Sequence, residues 1–412
     1  MTRILDVYLH TKLIGQLHQK ISGELMFLYD KDYVQQDLQS LSVALPLRFK
    51  AYRGQAVTAF FSGLLPDENV RQRLANYLGL SEQNAFALLR AVGGDCAGAL
   101  SLYPQGQVPY SPTNDTETLN DDQLKEIFEC IKCRPMLAGN DGYRLSLAGA
   151  QDKLAVGFKD NRVQLIKGGA PTTHILKPLI EHIHDSAHNE LFCMKLAKRV
   201  GIDVPEIHLY FVHKTPYCLI RRYDRHITAD GTVLRIHQED FCQALSVVPE
   251  LKYEREGGPT ISACQAMIAR YTLQPAVDQI HFLNRIIFNF LIGNADAHGK
   301  NFSLLYKQKK PELAPAYDLL STAIYPNLSQ KMAMKIGGKY MPEKTYLRHF
   351  YKMVADTKAA QLSLEKQIKR MIGAINDEAI KLKKELERQN LNSEVFSAII
   401  DIIQKRSQQL QL

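Results

Sequence analysis

The stretch LIGNADAHGKN, Leu291 to Asn301, places several polar side chains between two apolar runs, HFLNRIIFNF before it and FSLLY after it. In the first run Phe282, Ile286 and Phe290 recur at helical spacing, and the pattern stops at Gly293. A glycine directly after a periodic apolar run is typical of a helix C-terminus. The sequence therefore predicts a buried helix that ends at Gly293 and a polar loop, NADAHGKN, at the mouth of that helix.

The composition limits the class of protein. With 412 residues, 45% of them hydrophobic, the chain can bury a large core, and usual domain sizes suggest two or three lobes. No apolar run approaches the ~20 residues that span a bilayer, and the start has no secretory pattern, so we expect a cytoplasmic protein with no membrane contact. The net charge of +8 is spread along the chain, which permits acidic partners without indicating a nucleic-acid arm.

The seven cysteines are scattered, and an odd, unclustered count favours reduced thiols over a disulfide framework. Only Cys130 and Cys133 are close together, and this CxxC lacks a second ligand pair at zinc spacing. His182, His184 and His188 form a histidine-rich stretch without an HExxH pattern. We therefore favour an interpretation in which the two cysteines lie on a helix face and neither they nor the histidines hold a structural metal.

The order of the patterns predicts three parts. Residues 1–110 mix strand-like and helix-like runs, as in a small α/β subdomain, and the polar segment Pro104 to Asp122 reads as a linker. Residues 123–225 alternate strand signals around one helix, SAHNELFCMKLAKRV. From residue 226 to 412 helical patterns dominate, and the segment HQEDFCQAL is expected to open a helix at Gln238 and Asp240.

Three polar residues flank a hairpin-like segment, NFSLLYKQKKPELAPAYD. Asp296 and Asn301 precede the segment in the order D-x-x-x-x-N, and Asp318 ends it. Because a hairpin returns its ends to one place, the three side chains are expected to converge. Phosphoryl transfer needs one carboxylate to receive a hydroxyl proton, and a carboxamide and a second carboxylate to hold Mg²⁺. The same residues also fit a polar loop whose Asp and Asn cap helices and turns.

Segments upstream supply the other parts of a nucleotide site. Lys177 ends the strand-like THILK, and Glu190 lies on the next helix, where it could orient that lysine. The turn in LSLAGAQDK could present backbone N–H groups to phosphate. The segment CLIRRYD stands where a hinge would meet adenine. The residues expected to contact ATP are Ala148, Gly149, Ala150, Gln151, Lys153, Lys177, Arg221, Tyr223, Gln238, His298 and Lys300. Taken singly, each also fits an ordinary strand end, turn or helix start.

Many separate motifs resemble, in one order, the HipA-like serine/threonine kinases, the toxins of bacterial toxin–antitoxin operons. They include LSVALPLR, FFSGLLPDENVRQRL, LLRAVGGDCAGAL, LSLAGAQDKLAVGF, PTTHILKP, RRYDR, YEREGGP, LIGNADAHGKNFSLL and LAPAYDLLS. The resemblance covers nearly the whole chain, except for about the last seventy residues. It implies an α+β fold of the bilobal protein-kinase type, similar to phosphoinositide kinases, with an N-terminal α/β subdomain and a mainly helical C-lobe.

By this resemblance Asp296 is the catalytic base, and Asn301 and Asp318 are the Mg²⁺ ligands of an ATP-dependent enzyme. Lys153 and Lys177 contact the phosphates, and Ser146 is autophosphorylated in trans, which inactivates the enzyme. The chain departs from the family at the hinge. Arg221 and Tyr223 stand where the family often has Glu and Phe, which puts a side-chain contact to adenine in doubt.

The resemblance also implies partners. The expected substrate is an aminoacyl-tRNA synthetase, classically the glutamyl enzyme, whose phosphorylation halts translation and promotes dormancy. The expected inhibitor is a helix-turn-helix, HipB-like antitoxin that carries the pair onto operator DNA. Two other functions stay open. A small-molecule phosphotransferase would share the D-x-x-x-x-N loop, and a catalytically weak scaffold would bind only antitoxin and DNA.

Overall fold

A computed structural model describes residues 3–109, 116–139, 145–167 and 170–410. The chain divides into two compact units, each assembled from three separate segments. Unit 1 comprises Met1–Pro178, Tyr210–Leu251 and Ser303–Ala314. Unit 2 comprises Leu179–Leu209, Lys252–Phe302 and Pro315–Leu412. The chain therefore leaves and re-enters each unit, and the three-part division predicted from sequence stays a prediction.

Unit 1 begins with an antiparallel five-stranded sheet in the order β4-β3-β2-β1-β5. Its strands are β1 (Arg3–Leu9), β2 (Lys12–Gln19), β3 (Leu25–Tyr29), β4 (Tyr52–Arg53) and β5 (Leu100–Pro104). The helices of the same region are α1 (Lys31–Gln35), α2 (Gln55–Gly63), α3 (Glu68–Leu78) and α4 (Ala85–Val92). Alternate residues of β3, namely Leu25, Phe27 and Tyr29, are buried, as expected for a strand with one face on a core. This sheet and its helices lie in the part of the chain for which an N-terminal α/β subdomain was predicted, and the subdomain itself stays a prediction.

The second sheet of unit 1 has six strands in the order β10-β11-β9-β7-β8-β6. The elements of this region are β6 (Thr116–Thr118), α5 (Asp121–Cys133), β7 (Leu154–Lys159), β8 (Arg162–Ile166), β9 (His174–Pro178), α6 (Ser186–Arg199), β10 (Ile207–Val212) and β11 (Thr215–Arg221). Helix α6 belongs to unit 2, and the boundary between the units falls within β10. Strand β6 lies inside the segment that was read as a linker, and its residues Thr116 to Thr118 pair with β8. The domain boundary expected at this segment stays a prediction.

Two short strands, β12 (Arg225–Ile227) and β13 (Val233–Arg235), form a separate hairpin, and β14 (His237–Asp240) and α7 (Phe241–Ala244) follow. Strand β14 belongs to a further sheet, which joins residues that are far apart in the sequence. Strand β14 pairs with β15 (Ser303–Tyr306), which pairs with β16 (Glu312–Leu313). Gln238 therefore lies on a strand and not on a helix, contrary to the prediction, because pairing with the apolar β15 overrides the weak strand propensity of HQED. Asp240 does begin α7, as its N-cap.

Helices dominate unit 2. Besides α6 they are α8 (Ile261–Tyr271), α9 (Pro275–Ile292), α10 (Leu347–Phe350), α11 (Lys358–Arg388) and α12 (Val395–Leu410). The rings of Phe192 on α6 and Phe396 on α12 stack with centroids 5.0 Å apart. Arg199 of α6 forms ion pairs with Glu378 and Glu385 of α11. The C-terminal helices, which carry little of the sequence resemblance, thus pack directly against α6.

None of the helices in the described ranges is long and apolar enough to cross a membrane. Cys130 and Cys133 both lie on α5, as the sequence favoured. Within the described ranges no group of three or more His, Cys, Asp or Glu side chains is arranged to hold a metal ion, and this includes the histidine-rich stretch before α6.

Candidate active site

The polar loop begins where α9 ends, at Gly293, as predicted. Gly293 adopts a φ of 82°, and a Cβ there would come within 2.8 Å of the Cβ of Ala323 and 2.9 Å of the Cγ2 of Ile402. Only glycine fits both the left-handed backbone and this close approach. The chain then leaves the helix sharply, and the backbone N–H of Asp296 donates to Oδ1 of Asn294, 3.0 Å away.

Asp296, the predicted catalytic base, accepts a hydrogen bond from a tyrosine that the sequence analysis did not single out. The hydroxyl of Tyr253 lies 2.7 Å from Oδ1 of Asp296. The ring of Tyr253 stands edge-on to the imidazole of His298, with centroids 5.1 Å apart. The only sequence signal for Tyr253 was its place in the motif YEREGGP.

His298 is buried, and Nδ1 of its ring has no hydrogen-bond partner among the residues that the structure describes. Burial, reinforced by the positive charge of Lys252, lowers the pKa of His298 to about 3. The imidazole is therefore neutral at physiological pH and is not a general acid there. Lys300, two residues on, is also buried, and its carbonyl accepts a hydrogen bond from the hydroxyl of Tyr317 at 2.6 Å.

The structure brings together Asn301 and Asp318, the residues on either side of the β15–β16 hairpin. Nδ2 of Asn301 donates to Oδ2 of Asp318 over 3.2 Å. Asp318 has a φ of 58°, which is uncommon for a residue other than glycine and is often found at functional sites. A carboxylate and a carboxamide oxygen suit Mg²⁺, which needs only one or two protein carboxylates when substrate phosphates and waters complete its shell. The donor set therefore fits this ion.

The predicted phosphate loop lies in unit 1 and is held by hydrogen bonds. The carbonyl of Gly149 accepts from the N–H of Asp67 at 3.1 Å, and Asp152 forms an ion pair with Arg73 at 2.7 Å. Nζ of Lys153 donates to the carbonyl of Ala148, 2.9 Å away. Lys153 therefore curls back over the turn that was expected to meet phosphate.

Gly149 has a φ of 115°, and a Cβ there would collide with Nζ of Lys153. Ala150, the next residue, is exposed, and Gln151 donates through Nε2 to the carbonyl of Pro178 at 3.1 Å. The turn is thus a small-residue turn, as predicted, and its shape depends on Gly149.

Ser146, the predicted autophosphorylation site, is fully buried in this structure. Its Oγ donates to the carbonyl of Leu64 at 2.7 Å, and its N–H donates to the carbonyl of Asp95 at 3.0 Å. A kinase can reach this hydroxyl only after the segment has left its place against α2 and the loop after α4.

Lys177 is buried on β9 and lies opposite Cys218 of β11. Glu190 is buried on α6. Because Lys177 belongs to unit 1 and Glu190 to unit 2, their predicted pairing stays a prediction.

At the predicted hinge, the side chain of Arg221 is exposed at the end of β11. Tyr223 instead turns toward the protein, and its hydroxyl donates to Oε1 of Gln238. Nε2 of Gln238 donates in turn to Oδ2 of Asp224 at 3.3 Å. Two residues predicted to line the adenine site therefore contact each other.

A buried charge cluster, consisting of Asp95, Arg222, Asp224 and Arg225, lies beside the hinge. Arg222 binds Asp224 through Nε at 2.9 Å and Nη2 at 2.8 Å, and Arg225 binds Asp95 at 2.9 Å. Oδ2 of Asp224 also accepts from the N–H of Gly98 at 2.8 Å. The cluster ties the loop after α4 to the end of β11, and the motifs GGDCAGAL and RRYDR contained its only sequence signal.

Comparison with known proteins gives consistent matches along the chain. Residues 145–382 match the model of the HipA-like C-terminal domain, and residues 5–103 match that of the HipA N-terminal domain. The serine/threonine-protein kinase toxin HipA of Shewanella oneidensis is 31% identical over 357 residues, which cover 84% of this chain and 81% of that protein. The kinase-like protein Y4mE of Sinorhizobium fredii is 44% identical over 340 residues, 81% of each chain.

A solved structure is similar over almost the full length. It contains HipA of Shewanella oneidensis with HipB and operator DNA, and its HipA chain aligns with a TM-score of 0.84 at 26% identity, covering 98% of this chain and 97% of that one. The likeness confirms the predicted fold class, whereas the subdomain boundaries stay predictions.

Proposed function

The chain belongs to the HipA family of kinase toxins, and from this premise we propose that it is an ATP-dependent serine/threonine-protein kinase and the toxin of a type II toxin–antitoxin system. The observation that carries the proposal is the contact between Asn301 and Asp318 across the β15–β16 hairpin, on the same loop as Asp296. This contact supports the proposal, because a carboxamide and a carboxylate that lie together are ligands suited to the Mg²⁺ of phosphoryl transfer.

In this mechanism Asp296 receives the proton of the substrate hydroxyl as its oxygen attacks the γ-phosphorus of ATP and the bond to the β-phosphate oxygen breaks. The hydroxyl of Tyr253 orients the carboxylate through Oδ1. Asn301 and Asp318 would hold Mg²⁺, which supplies charge neutralisation on the phosphates. Because its pKa is lowered to about 3, His298 is a weak proton acceptor, and the proton transfer is assigned to Asp296.

Within unit 1, the phosphate loop and two lysines are proposed to bind the phosphates of the nucleotide. Backbone N–H groups from Ala148 to Gln151 are suited to bind phosphate oxygens, because successive amides in a tight turn form an anion-binding concavity. Lys177, and Lys153 once it leaves the carbonyl of Ala148, would add point charges. Tyr223 and Gln238 would contribute to the adenine end, with Arg221 presenting only its backbone.

Self-inactivation at Ser146 is part of the proposal. A phosphate there adds about −1.5 to −2 charges at neutral pH, which the buried position of the serine cannot accommodate. The modified loop would therefore stay out of its working position. The antitoxin is proposed to be a HipB-like helix-turn-helix protein, because the similar Shewanella structure contains HipB and operator DNA. The proposed substrate is an aminoacyl-tRNA synthetase, glutamyl type, whose phosphorylation halts translation and promotes dormancy.

Replacement of the two carboxylates tests the proposal. Asp296→Asn and Asp318→Asn are each expected to lower phosphate transfer from labelled ATP to proteins of a bacterial lysate by about 10²-fold or more, with the fold intact. Asp401→Asn, at an exposed carboxylate on α12, is the control and should transfer normally. Full transfer by folded Asp296→Asn and Asp318→Asn proteins would contradict the kinase proposal.

The same reactions separate the alternatives. Label that appears in small metabolites instead of proteins would favour a small-molecule phosphotransferase, and no transfer at all would favour a binding scaffold. Mass spectrometry of the wild-type enzyme after incubation with Mg-ATP tests the serine. An active preparation without phosphate on Ser146, or a phosphorylated form with normal turnover, would contradict self-inactivation.

A further inference from the structure

Thr322 lies shortly after Asp318 and contacts the backbone of the polar loop at two points. Its Oγ1 accepts a hydrogen bond from the N–H of Ala295 at 2.8 Å and donates to the carbonyl of Gly293 at 3.2 Å. The same carbonyl accepts from the N–H of Ala323 at 2.9 Å. One buried hydroxyl thus joins the residue just before Asp296 to the segment that carries Asp318.

The neighbouring residue, Ser321, is fixed by its backbone. Asn189 of α6 donates through Nδ2 to the carbonyl of Ser321 at 2.9 Å and accepts from its N–H through Oδ1 at 2.8 Å. The hydroxyl of Ser321 is buried and has no hydrogen-bond partner among the described residues. Of these two adjacent residues, Thr322 has a hydroxyl with two hydrogen-bond partners, and Ser321 has a hydroxyl with none among the described residues.

From these contacts we propose that Thr322 is a positioning residue for phosphoryl transfer, which holds the loop of Asp296 in register with the segment of Asp318. The inference rests on the proposed function, in which both carboxylates act on one reaction. The hydrogen bonds of Thr322 go to backbone groups and not to either carboxylate. Thr322 therefore acts through the backbone of the loop that carries Asp296 and of the segment that carries Asp318.

The backbone geometry shows why a side chain is needed for this register. Asp296 follows a glycine-terminated helix, and Asp318 has a positive φ, so neither residue is placed by regular secondary structure. Ala295 lies two residues beyond the C-cap of α9, outside the hydrogen-bond pattern of the helix, and Oγ1 of Thr322 supplies the acceptor for its N–H. Asn189 acts on the opposite side of the segment, where it holds Ser321 to α6. Without the hydroxyl at residue 322 the N–H of Ala295 loses its acceptor, while the bond from the N–H of Ala323 to the carbonyl of Gly293 remains, so the part of the loop at Ala295 and Asp296 can shift relative to Asp318.

The experiment compares variants that differ by one hydroxyl group. Thr322→Ala is expected to lower kcat by roughly 10- to 100-fold with little change in KM for ATP, because displacement of reacting groups by about 1 Å has effects of that size. Thr322→Ser keeps the hydroxyl and should recover most of the rate. Ser321→Ala removes the unpartnered hydroxyl next to it and should retain normal kcat. Equal rates in Thr322→Ala and Ser321→Ala, or an equal loss in Thr322→Ser and Thr322→Ala, would overturn the inference.

A second measurement does not depend on turnover. Amide hydrogen exchange at Ala295 is expected to be faster in Thr322→Ala than in wild type, Thr322→Ser or Ser321→Ala, because only that variant removes the acceptor. Unchanged exchange would overturn the inference even if the rate had fallen. Absence of phosphate transfer in the wild-type enzyme would instead reject the proposed function, and the exchange would still report on the hydrogen bond. Thr322→Val, which keeps the shape of the side chain, replaces Thr322→Ala if the latter does not fold, with the same expected outcomes.

Discussion

At the scale of single residues, the hydrogen bond from the phenol of Tyr253 to Asp296, the proposed base, could not be predicted from the sequence. Tyr253 and Asp296 are separated by two helices, α8 and α9, and no local pattern links a tyrosine to a distant carboxylate. Asn301 and Asp318 are different, because a hairpin between them made their approach predictable. Sequence reasoning thus found the pair that a local element joins and missed the one that depends on tertiary packing.

Tyr253→Phe is expected to lower kcat by about tenfold or more, since a hydrogen bond to a charged group contributes about 1.5–3 kcal/mol. Tyr351→Phe is the matched control, because it removes a phenol that donates to Glu365 at 2.6 Å elsewhere in unit 2. A kcat that falls no further in Tyr253→Phe than in Tyr351→Phe would show that this contact does not serve the base.

At the scale of elements, the phosphate loop depends on the one glycine that curls it around Lys153. Gly149→Ala forces a Cβ into the space of the ammonium group and strains a backbone at a φ of 115°. A non-glycine residue in such a conformation costs about 1–2 kcal/mol, so the turn should relax to another shape, and the energy needed to restore the binding shape should lower the affinity for Mg-ATP by about tenfold. Isothermal calorimetry measures this change directly.

Gly23→Ala supplies the control for backbone strain. Gly23 also has a positive φ, 87°, but a Cβ there meets nothing within 4 Å. This variant should lose some stability and keep its nucleotide affinity. If both variants bind Mg-ATP as the wild type does, the turn does not serve the nucleotide.

The elements also show where sequence patterns fail. Helix α9 and the β15–β16 hairpin have strong local signals, an apolar period and a turn-rich loop, and both were predicted. Strand β14 has no such signal, because HQED contains no apolar residue and becomes a strand only by pairing with SLLY. The burial of Ser146 was equally hidden, since its partners Leu64 and Asp95 lie in other motifs. Strand pairing and burial against distant segments are decided by the whole fold.

At the scale of the whole molecule, the buried charge cluster makes unit 1 depend on ion pairs between distant segments. Burial alone raises the pKa of Asp224, but Arg222 and Arg225 outweigh it and leave the pKa well below its usual value. The stabilisation from this carboxylate is therefore present above the unfolded pKa of about 3.9 and is lost as the pH falls below it. At neutral pH the cluster contributes fully.

Asp224→Asn is expected to lower the free energy of unfolding by about 3–5 kcal/mol, because it removes the carboxylate that binds buried Arg222 through two hydrogen bonds and leaves Asp95 as the one acid of the cluster. Urea unfolding at pH 7 measures the loss, and the difference from wild type should narrow below about pH 4, because the carboxylate of the unfolded wild-type chain becomes protonated there while the folded one is still ionised. Asp230→Asn, in the exposed turn between β12 and β13, should change stability little. A small effect of Asp224→Asn at pH 7 would mean that Asp95 alone suffices for the cluster.

The division of unit 1 into three chain segments also determines when the protein can begin to work. Strand β14 can pair with β15 only after residues 303–314 have been made. The buried carboxylate of Glu239 likewise gains its hydrogen-bond donor, the hydroxyl of Tyr306, only then. At about 5–20 residues per second, the first segment waits roughly 7 to 30 s on the ribosome between residues 178 and 314. Nascent chains of increasing length should resist protease in unit 1 only once they extend past Ala314. Unit 1, which carries the proposed phosphate loop and Lys177, therefore cannot be completed until 314 of the 412 residues have been made, and a shorter nascent chain would lack a folded nucleotide loop.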